Sequence, residues 1–147
     1  MTHKHQVKAF KLSHLTGLPG AYGWLRPDIH QAYENSPSWS AFCDYRFIGA
    51  LGIMIPYKGF GEAWCMVSLP AVQAPRHTLW FYRTVKERIL GTARDLGLHR
   101  LQATVDTTNP LHLRFVEALG FAPEATLRMA GPQRQDFQIW ALYPEEQ

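Results

Sequence analysis

The stretch 106–121, DTTNPLHLRFVEALGF, decides the fold of this chain. It follows HRLQATVD at 99–106, where apolar and polar side chains alternate as they do in a half-buried strand. Asn109 can cap the start of a helix, Pro110 suits its first position and Gly120 suits its end. The apolar residues of this helix are spaced by four: Leu111, Phe115 and Leu119. The stretch therefore predicts a strand, a short helix and a second strand.

A long amphipathic helix is predicted upstream, over 75–98. Pro75 suits the start of this helix, and Gly97 suits its C-terminal cap. Spacings of three and four place six residues on one apolar face: Leu79, Tyr82, Val85, Ile89, Ala93 and Leu96.

The remaining segments predict a mixed order of strands and helices. Further strands are expected at 6–12, 38–45, 46–56, 61–70, 121–129 and 136–143, and short helices at 13–23 and 26–37. The strand 46–56 is almost wholly apolar, so we expect it to be central and covered on both faces. Together with its two neighbours it predicts an antiparallel meander. The order defines an α/β (α+β) layered fold in a single domain, 1–147.

The composition is that of an ordinary globular protein. The chain has 147 residues, of which 46% are hydrophobic and 18% are charged. No apolar run approaches the roughly 20 residues that span a bilayer, and no signal-peptide core is visible, so we expect a cytoplasmic protein without a membrane partner. The net charge of +3 is scattered rather than clustered, which makes nucleic acid an unfavoured partner.

Cysteine and histidine spacing gives no metal-binding motif. Cys43 and Cys65 have no partner at a recognisable spacing, so we expect two buried free thiols. His3, His5 and His14 are not at ligand spacing with any cysteine or acidic cluster. The sequence therefore predicts no metal site.

The quoted stretch resembles the GNAT superfamily of N-acetyltransferases, which often carry N-x-x-A-x-x-x-Y-e-k-x-G-F after a strand. Asn109, Leu119, Gly120 and Phe121 stand at matching spacings, and the likeness extends over 45–143. It implies a mixed sheet of about seven strands with helices on both faces. The fourth and fifth strands splay apart, and acetyl-CoA lies between them.

A narrower resemblance is to the small GNAT-like proteins of tailed bacteriophages, some of which are internal virion proteins. It rests on the strand that contains Glu62 and Trp64, the arginine-bearing long helix, the helix that begins at Asn109 and the aromatic last strand. It implies a location in the host cytoplasm or the virion.

The phosphate-binding loop of the family, Q/R-x-x-G-x-G/A, is altered here. Gln73 fits, but Arg76 and Thr78 occupy the glycine positions, and Pro75 lacks an N–H. Either Arg76 and His77 supply charge to a phosphate in place of amides, or they fill the site. The resemblance implies cofactor contacts at eight residues: Met66, Val67, Ser68, Gln73, Arg76, His77, Thr78 and Asn109.

Three residues are candidates for the chemistry of acyl transfer. Glu62 and Cys65 lie on the strand where the family often has its base, and His112 lies near the expected thioester. Each has a structural alternative, as an exposed carboxylate, a packed small side chain and a solvated histidine. The tyrosine that many relatives use as an acid is replaced by Val116.

Two classes of function therefore remain open. The chain is either an acetyl-CoA-dependent N-acetyltransferase acting on an unidentified amine, or a non-catalytic GNAT-fold component that binds virion or host proteins. The altered loop and Val116 favour the second class, whereas Gln73, Asn109 and the helix start favour the first. A homo-oligomer is compatible with both.

Overall fold

A computed structural model describes residues 4–15, 27–68 and 75–146, with backbone only for 27–30. The seven strands are β1 (His5–Ala9), β2 (Ser38–Cys43), β3 (Arg46–Tyr57), β4 (Phe60–Val67), β5 (Arg100–Asp106), β6 (Ala122–Leu127) and β7 (Phe137–Leu142). The helices are α1 (Pro27–Glu34), α2 (Pro75–Asp95) and α3 (Pro110–Ala118), with 3₁₀ turns at Leu12–Leu15 and Pro144–Glu146. The predicted order of strands and long helices is confirmed.

All seven strands form one mixed sheet in the order β1-β2-β3-β4-β5-β7-β6. The pairs β1–β2, β2–β3 and β3–β4 are antiparallel, which confirms the predicted meander. The pair β4–β5 is parallel, and α2 is the crossover between these two strands. This is the mixed sheet of seven strands that the resemblance implied.

The two faces of the sheet are covered by different helices. On one face, Phe81 of α2 lies so close to Gly49 of β3 that a Cβ on this glycine would be 2.9 Å from its ring. On the other face, the ring of Tyr33 in α1 stacks on Trp64 of β4, with centroids 4.7 Å apart. Residues 48–53 of β3 are buried throughout, so the expectation of a central strand covered on both faces is confirmed.

The buried face of α2 differs from the predicted one at both ends. Val85, Ile89 and Ala93 are buried as expected, but Leu79 is 48% exposed and Leu96 is 49% exposed. The helix ends at Asp95, and Gly97 follows with a φ of +65°, which makes it the expected C-terminal cap. The prediction for Leu79 and Leu96 was wrong: the side chain of Leu79 is exposed in the first turn, and Leu96 lies beyond the last helical residue. Phe81, Thr84 and Leu90 are buried instead.

The caps of α3 are those that the sequence predicts. Asn109 Oδ1 accepts a hydrogen bond of 3.0 Å from the Leu111 N–H, and Gly120 follows the helix with a φ of +101°. The predicted apolar face of α3, which was based on a spacing of four, was wrong in part. Leu111 is 66% exposed, and Val116 is buried together with Leu119.

The N-terminal third departs most from the predicted boundaries. Lys11 lies outside β1 and precedes a 3₁₀ turn, so the strand does not reach position 12. β2 ends at Cys43 because Asp44 and Tyr45 have φ values of +49° and +66°, which form a tight hairpin turn into β3. Most of the predicted helix at 13–23 lies outside the described residues.

None of the described helices combines the length and the apolar character needed to span a bilayer.

Candidate active site

A gap opens between β4 and β5 in the middle of the sheet. The two strands pair only at Phe60–Arg100, Gly61–Leu101 and Glu62–Gln102. Beyond this point β4 continues along β3 to Val67, and β5 continues along β7 to Asp106. Beyond this point one edge of β4 and one edge of β5 therefore have no neighbouring strand. The sheet splays between the two strands that the resemblance indicated.

The resemblance implies cofactor contacts at Met66, Val67 and Ser68, and only one of their three backbone amides is directed into this gap. The Ser68 N–H donates to Ile48 O at 2.7 Å, so it is already used by β3. Because alternate residues of an antiparallel strand bond to the same neighbour, the Met66 N–H also faces β3, opposite Ala50. The Val67 N–H faces the other way, towards the gap. The amides of Met66 and Ser68 are therefore used by β3, and of these three only the Val67 amide is left for a ligand.

Glu62 lies at the closed end of the gap and is held from β5. Its Oε1 accepts a hydrogen bond of 2.8 Å from Thr104 Oγ1, and its Oε2 accepts one of 3.1 Å from Gln102 Nε2. Glu62 is half-buried rather than a free surface carboxylate. The two donors fix the orientation of the carboxylate, which is what a positioned base requires.

Aromatic side chains lie on the same face of the sheet as Glu62. Burial, followed by the nearby Glu62 carboxylate, raises the pKa of Tyr33 above its usual value of 10.0, so its hydroxyl stays protonated at neutral pH. The Trp64 Nε1 atom is buried and has no hydrogen-bond partner among the described residues. Sequence reasoning missed Tyr33 because α1 and β4 are brought together only by the fold.

The helix α2 begins at Pro75, so Arg76 and Thr78 are helical at the positions where related sequences have loop glycines. Arg76 is exposed, and Thr78 is half-buried. Gln73 lies outside the described residues. The start of α2 therefore presents a cationic side chain at its second residue, whereas Pro75 offers no N–H.

His77 is directed towards the β1–β2 edge of the sheet. Its Nδ1 atom lies 3.1 Å from His5 Nε2, and its Nε2 atom lies 4.0 Å from Cys43 Sγ. β2 is separated from β4 by β3, so these contacts lie away from the β4–β5 gap. They also bring together two histidines and one cysteine, a cluster that sequence spacing did not reveal.

His112 lies on the first turn of α3, close to the cap residue. Its Nε2 atom is 3.3 Å from Asn109 Nδ2. The ring of His112 is exposed to solvent at its surface. The surrounding protein nevertheless removes enough water to lower the pKa of His112 below 6.5, and the Asp106 carboxylate partly opposes this shift. His112 is therefore neutral at pH 7. Asp106 itself accepts hydrogen bonds from Thr108 at the end of β5.

Val116 of α3 stands where many GNAT proteins have an acidic tyrosine, and it cannot donate a proton. Val116 is only 4% exposed and belongs to the main core. Phe115 beside it packs against the rings of Phe81 and Tyr82 of α2. Positions 115 and 116 of α3 therefore offer no proton donor.

Cys65 and Cys43 are both free thiols, as expected. Burial raises the pKa of the Cys65 thiol to about 12, so it is protonated at neutral pH. Cys65 is packed against the main core beneath α2. These properties favour a packing role over the catalytic alternative.

Comparison with solved structures gives the class of this fold. The ribosomal-protein-S18-alanine N-acetyltransferase from Escherichia coli superposes with a TM-score of 0.74 at 14% identity, covering 95% of this chain and 94% of the other. A spermidine N-acetyltransferase chimera from Vibrio cholerae and hSSAT gives 0.72 at 18% identity, with 97% and 96% covered. The yncA protein from Salmonella typhimurium, with its cofactor acetyl-CoA, gives 0.64 at 17% identity, with 77% and 67% covered.

These similarities define a fold rather than an activity. No family model matches the sequence, and no curated protein matches it. The chain is a GNAT-fold protein, and the identities of these three structural neighbours are too low to transfer a substrate.

Proposed function

We propose that this protein is an acyl-CoA-dependent N-acyltransferase, with acetyl-CoA as the simplest donor. The observation that supports this most strongly is the β4–β5 gap, which opens directly after Glu62–Gln102 while both strands continue along their outer neighbours. A gap of this kind admits an extended chain such as pantetheine, which can bond to exposed strand amides. The Val67 N–H is directed into it.

Acyl-CoA would supply an activated acyl group as a thioester to this gap. Its pyrophosphate would be held near the start of α2, where the helix dipole favours an anion and Arg76 adds a positive charge. In this arrangement the Arg76 side chain takes the place of the backbone amides that the glycine-containing loop of the family supplies. Asn109, at the start of α3, is another residue where the resemblance implies a cofactor contact, and it would also contact the donor.

Glu62 is the group we assign to the acceptor amine. An amine arrives protonated at neutral pH and must lose a proton before it attacks a carbonyl. The Glu62 carboxylate, oriented by Gln102 and Thr104, can attract the ammonium and accept that proton. Tyr33 and Trp64 form an aromatic wall on the same face, which suits a cationic acceptor.

A second candidate function is a non-catalytic binding component on the same fold, in a virion or on a host protein. It is favoured by the buried Val116, which leaves α3 without a proton donor, and by Pro75, which removes an amide from the start of α2. In this case the gap would not need to bind acyl-CoA.

Isothermal titration of the purified protein with acetyl-CoA separates the two candidates. The enzyme proposal expects saturable binding at micromolar acetyl-CoA. Val67→Pro should weaken it by about tenfold, the effect of one lost hydrogen bond. Proline at this position removes no β3–β4 hydrogen bond because the Val67 N–H faces away from β3.

Val67→Ala is the matched control, since it shortens the side chain but keeps the amide. It should bind acetyl-CoA within about twofold of the wild type if the backbone contact matters. Transfer is then measured by mass spectrometry on a panel of amines, in which Glu62→Gln should retain binding but lose transfer. An absence of acetyl-CoA binding at millimolar ligand would overturn the enzyme proposal.

A further inference from the structure

We propose that His5, Cys43 and His77 form a binding site for a divalent metal of the zinc class. One ligand atom from each of these residues lies within 4.8 Å of the other two. The residues come from β1, β2 and α2, so the cluster exists only in the folded chain. This site is separate from the β4–β5 gap and does not depend on the proposed acyltransferase activity.

The chemistry of the donor set selects the metal. Imidazole nitrogen and thiolate sulfur are the ligands that zinc prefers, whereas magnesium and calcium require oxygen ligands. Two histidines and one cysteine supply three of four tetrahedral positions, and water or an added donor would fill the fourth. Cobalt(II) adopts the same geometry and serves as a spectroscopic probe.

Two donor–donor distances approach those of a tetrahedral site, although they involve different nitrogens of His77. Zinc bond lengths of 2.0–2.1 Å to nitrogen and 2.3 Å to sulfur place two nitrogens about 3.3 Å apart, and nitrogen and sulfur about 3.6 Å apart. In the structure His5 Nε2 and His77 Nδ1 are 3.1 Å apart, and Cys43 Sγ is 4.0 Å from His77 Nε2. Since a single nitrogen of His77 must serve, its ring would turn towards the sulfur as the metal binds.

Surrounding residues hold the ligands in place. The His5 ring stacks on Trp80 with centroids 4.3 Å apart and an interplanar angle of 17°. Cys43 is only 6% exposed and ends β2 in register with His5, its direct partner on β1. The site would therefore fasten the edge strand β1 to the first turn of α2.

The charges nearby are balanced around the cysteine. Asp44 Oδ2 lies 3.9 Å from the Cys43 sulfur; burial and this carboxylate raise the pKa of the Cys43 thiol, and the Arg76 cation opposes them. The Asp44 carboxylate offsets the charge of Arg76 and favours a bound cation.

The test begins with the wild-type chain, stripped of metal by a chelator and titrated with Co²⁺. We expect about one equivalent to bind, with a thiolate-to-cobalt charge-transfer band and the visible bands of tetrahedral cobalt. Zinc should displace cobalt and raise the melting temperature as its concentration rises. Failure of the wild-type protein to bind Co²⁺ or Zn²⁺ would overturn the proposal.

Variants identify the ligands. Cys43→Ala should abolish the charge-transfer band, and His5→Gln and His77→Gln should each weaken cobalt binding by more than about tenfold. His99→Gln is the matched control, because His99 is exposed and outside the cluster. Circular dichroism checks that each variant is folded. A charge-transfer band that persists in Cys43→Ala, or equal losses in His99→Gln, would also contradict the site.

Discussion

Thr104 Oγ1 donates a hydrogen bond of 2.8 Å to Glu62 Oε1 at the point where β4 and β5 stop pairing. Together with Gln102, this contact holds the two strands at the closed end of the gap. It fixes a carboxylate at the position where the proposed donor and acceptor would meet. The sheet therefore opens around a residue whose orientation is set by both strands.

Thr104→Val tests this contact while preserving the shape of the side chain. We expect the free energy of unfolding to fall by about 0.5–1 kcal/mol, a modest loss because Thr104 is exposed. Urea unfolding monitored by circular dichroism measures it. Thr104→Ser keeps the hydroxyl and should lose less. If both variants lost equally, the hydrogen bond would not be the cause.

Gly49 allows α2 to lie directly on the sheet. A Cβ at this position would meet Met66 O and would lie 2.9 Å from the Phe81 ring. Gly49→Ala should therefore lower the free energy of unfolding by about 1–3 kcal/mol. Urea unfolding gives the value.

Gly91, which lies on α2 itself, is the opposite case to Gly49 of β3. Nothing lies within 4 Å of a Cβ placed there, and the residue is helical. Gly91→Ala should raise the free energy of unfolding by up to about 1 kcal/mol, because alanine favours the helix. A stabilising Gly49→Ala or a destabilising Gly91→Ala would contradict the packing described for α2.

Asn109 has a cap role in the structure and a proposed role in donor binding. Asn109→Ala removes the acceptor for the Leu111 N–H and should cost about 1 kcal/mol of stability. Asn109→Asp keeps the cap and should unfold like the wild type. If Asn109 also contacts acyl-CoA through its amide, the aspartate variant loses acetyl-CoA affinity at unchanged stability. Unchanged affinity in the aspartate variant would leave the cap as the role of Asn109.

His112 reports on the electrostatics at the start of α3. Burial lowers its pKa below 6.5, and the Asp106 carboxylate partly opposes that shift. Asp106→Asn removes the negative charge and should lower the pKa of His112 further, as measured by NMR titration of the ring protons. The midpoint of His14, which contacts Ser40, should not change. A rise in the His112 pKa would contradict the assignment.

The same shift has a consequence for stability. Because the folded pKa of His112 lies below its unfolded value, protonation favours the unfolded chain. The associated stability is present above pH 6.5 and is lost as the pH falls below it. His112→Gln should therefore lose less stability than the wild type between neutral pH and pH 5, as measured by urea unfolding.

Much of the fold was predictable because local signals agreed with one another. The Asn109 cap, the glycines at 97 and 120 and the apolar run of β3 each specified an element that the structure confirms. The ends of the α2 face were not predictable, since helical spacing gives the direction of a face but not the extent of the sheet beneath it. Leu79 is exposed in the first turn of α2, and Leu96 is exposed beyond its last residue.

The candidate site was only partly predictable for a related reason. Glu62 and the gap followed from the resemblance, but Tyr33 and the His5–Cys43–His77 cluster combine elements that are distant in sequence. No spacing rule brings together strand β1, strand β2 and the start of α2. The directions of the amides at 66–68 likewise could not be predicted without the register of β4 on β3.

The central claim is that acyl-CoA binds in the β4–β5 gap, and amide NMR of the ¹⁵N-labelled protein with acetyl-CoA tests it most directly. The Val67 amide faces the gap, whereas the Ser68 amide is already bonded to Ile48. We predict that acetyl-CoA shifts the Val67 signal and slows its hydrogen exchange, with smaller changes at Ser68. An unchanged Val67 signal at millimolar acetyl-CoA, or shifts confined to residues away from β4 and β5, would contradict the account.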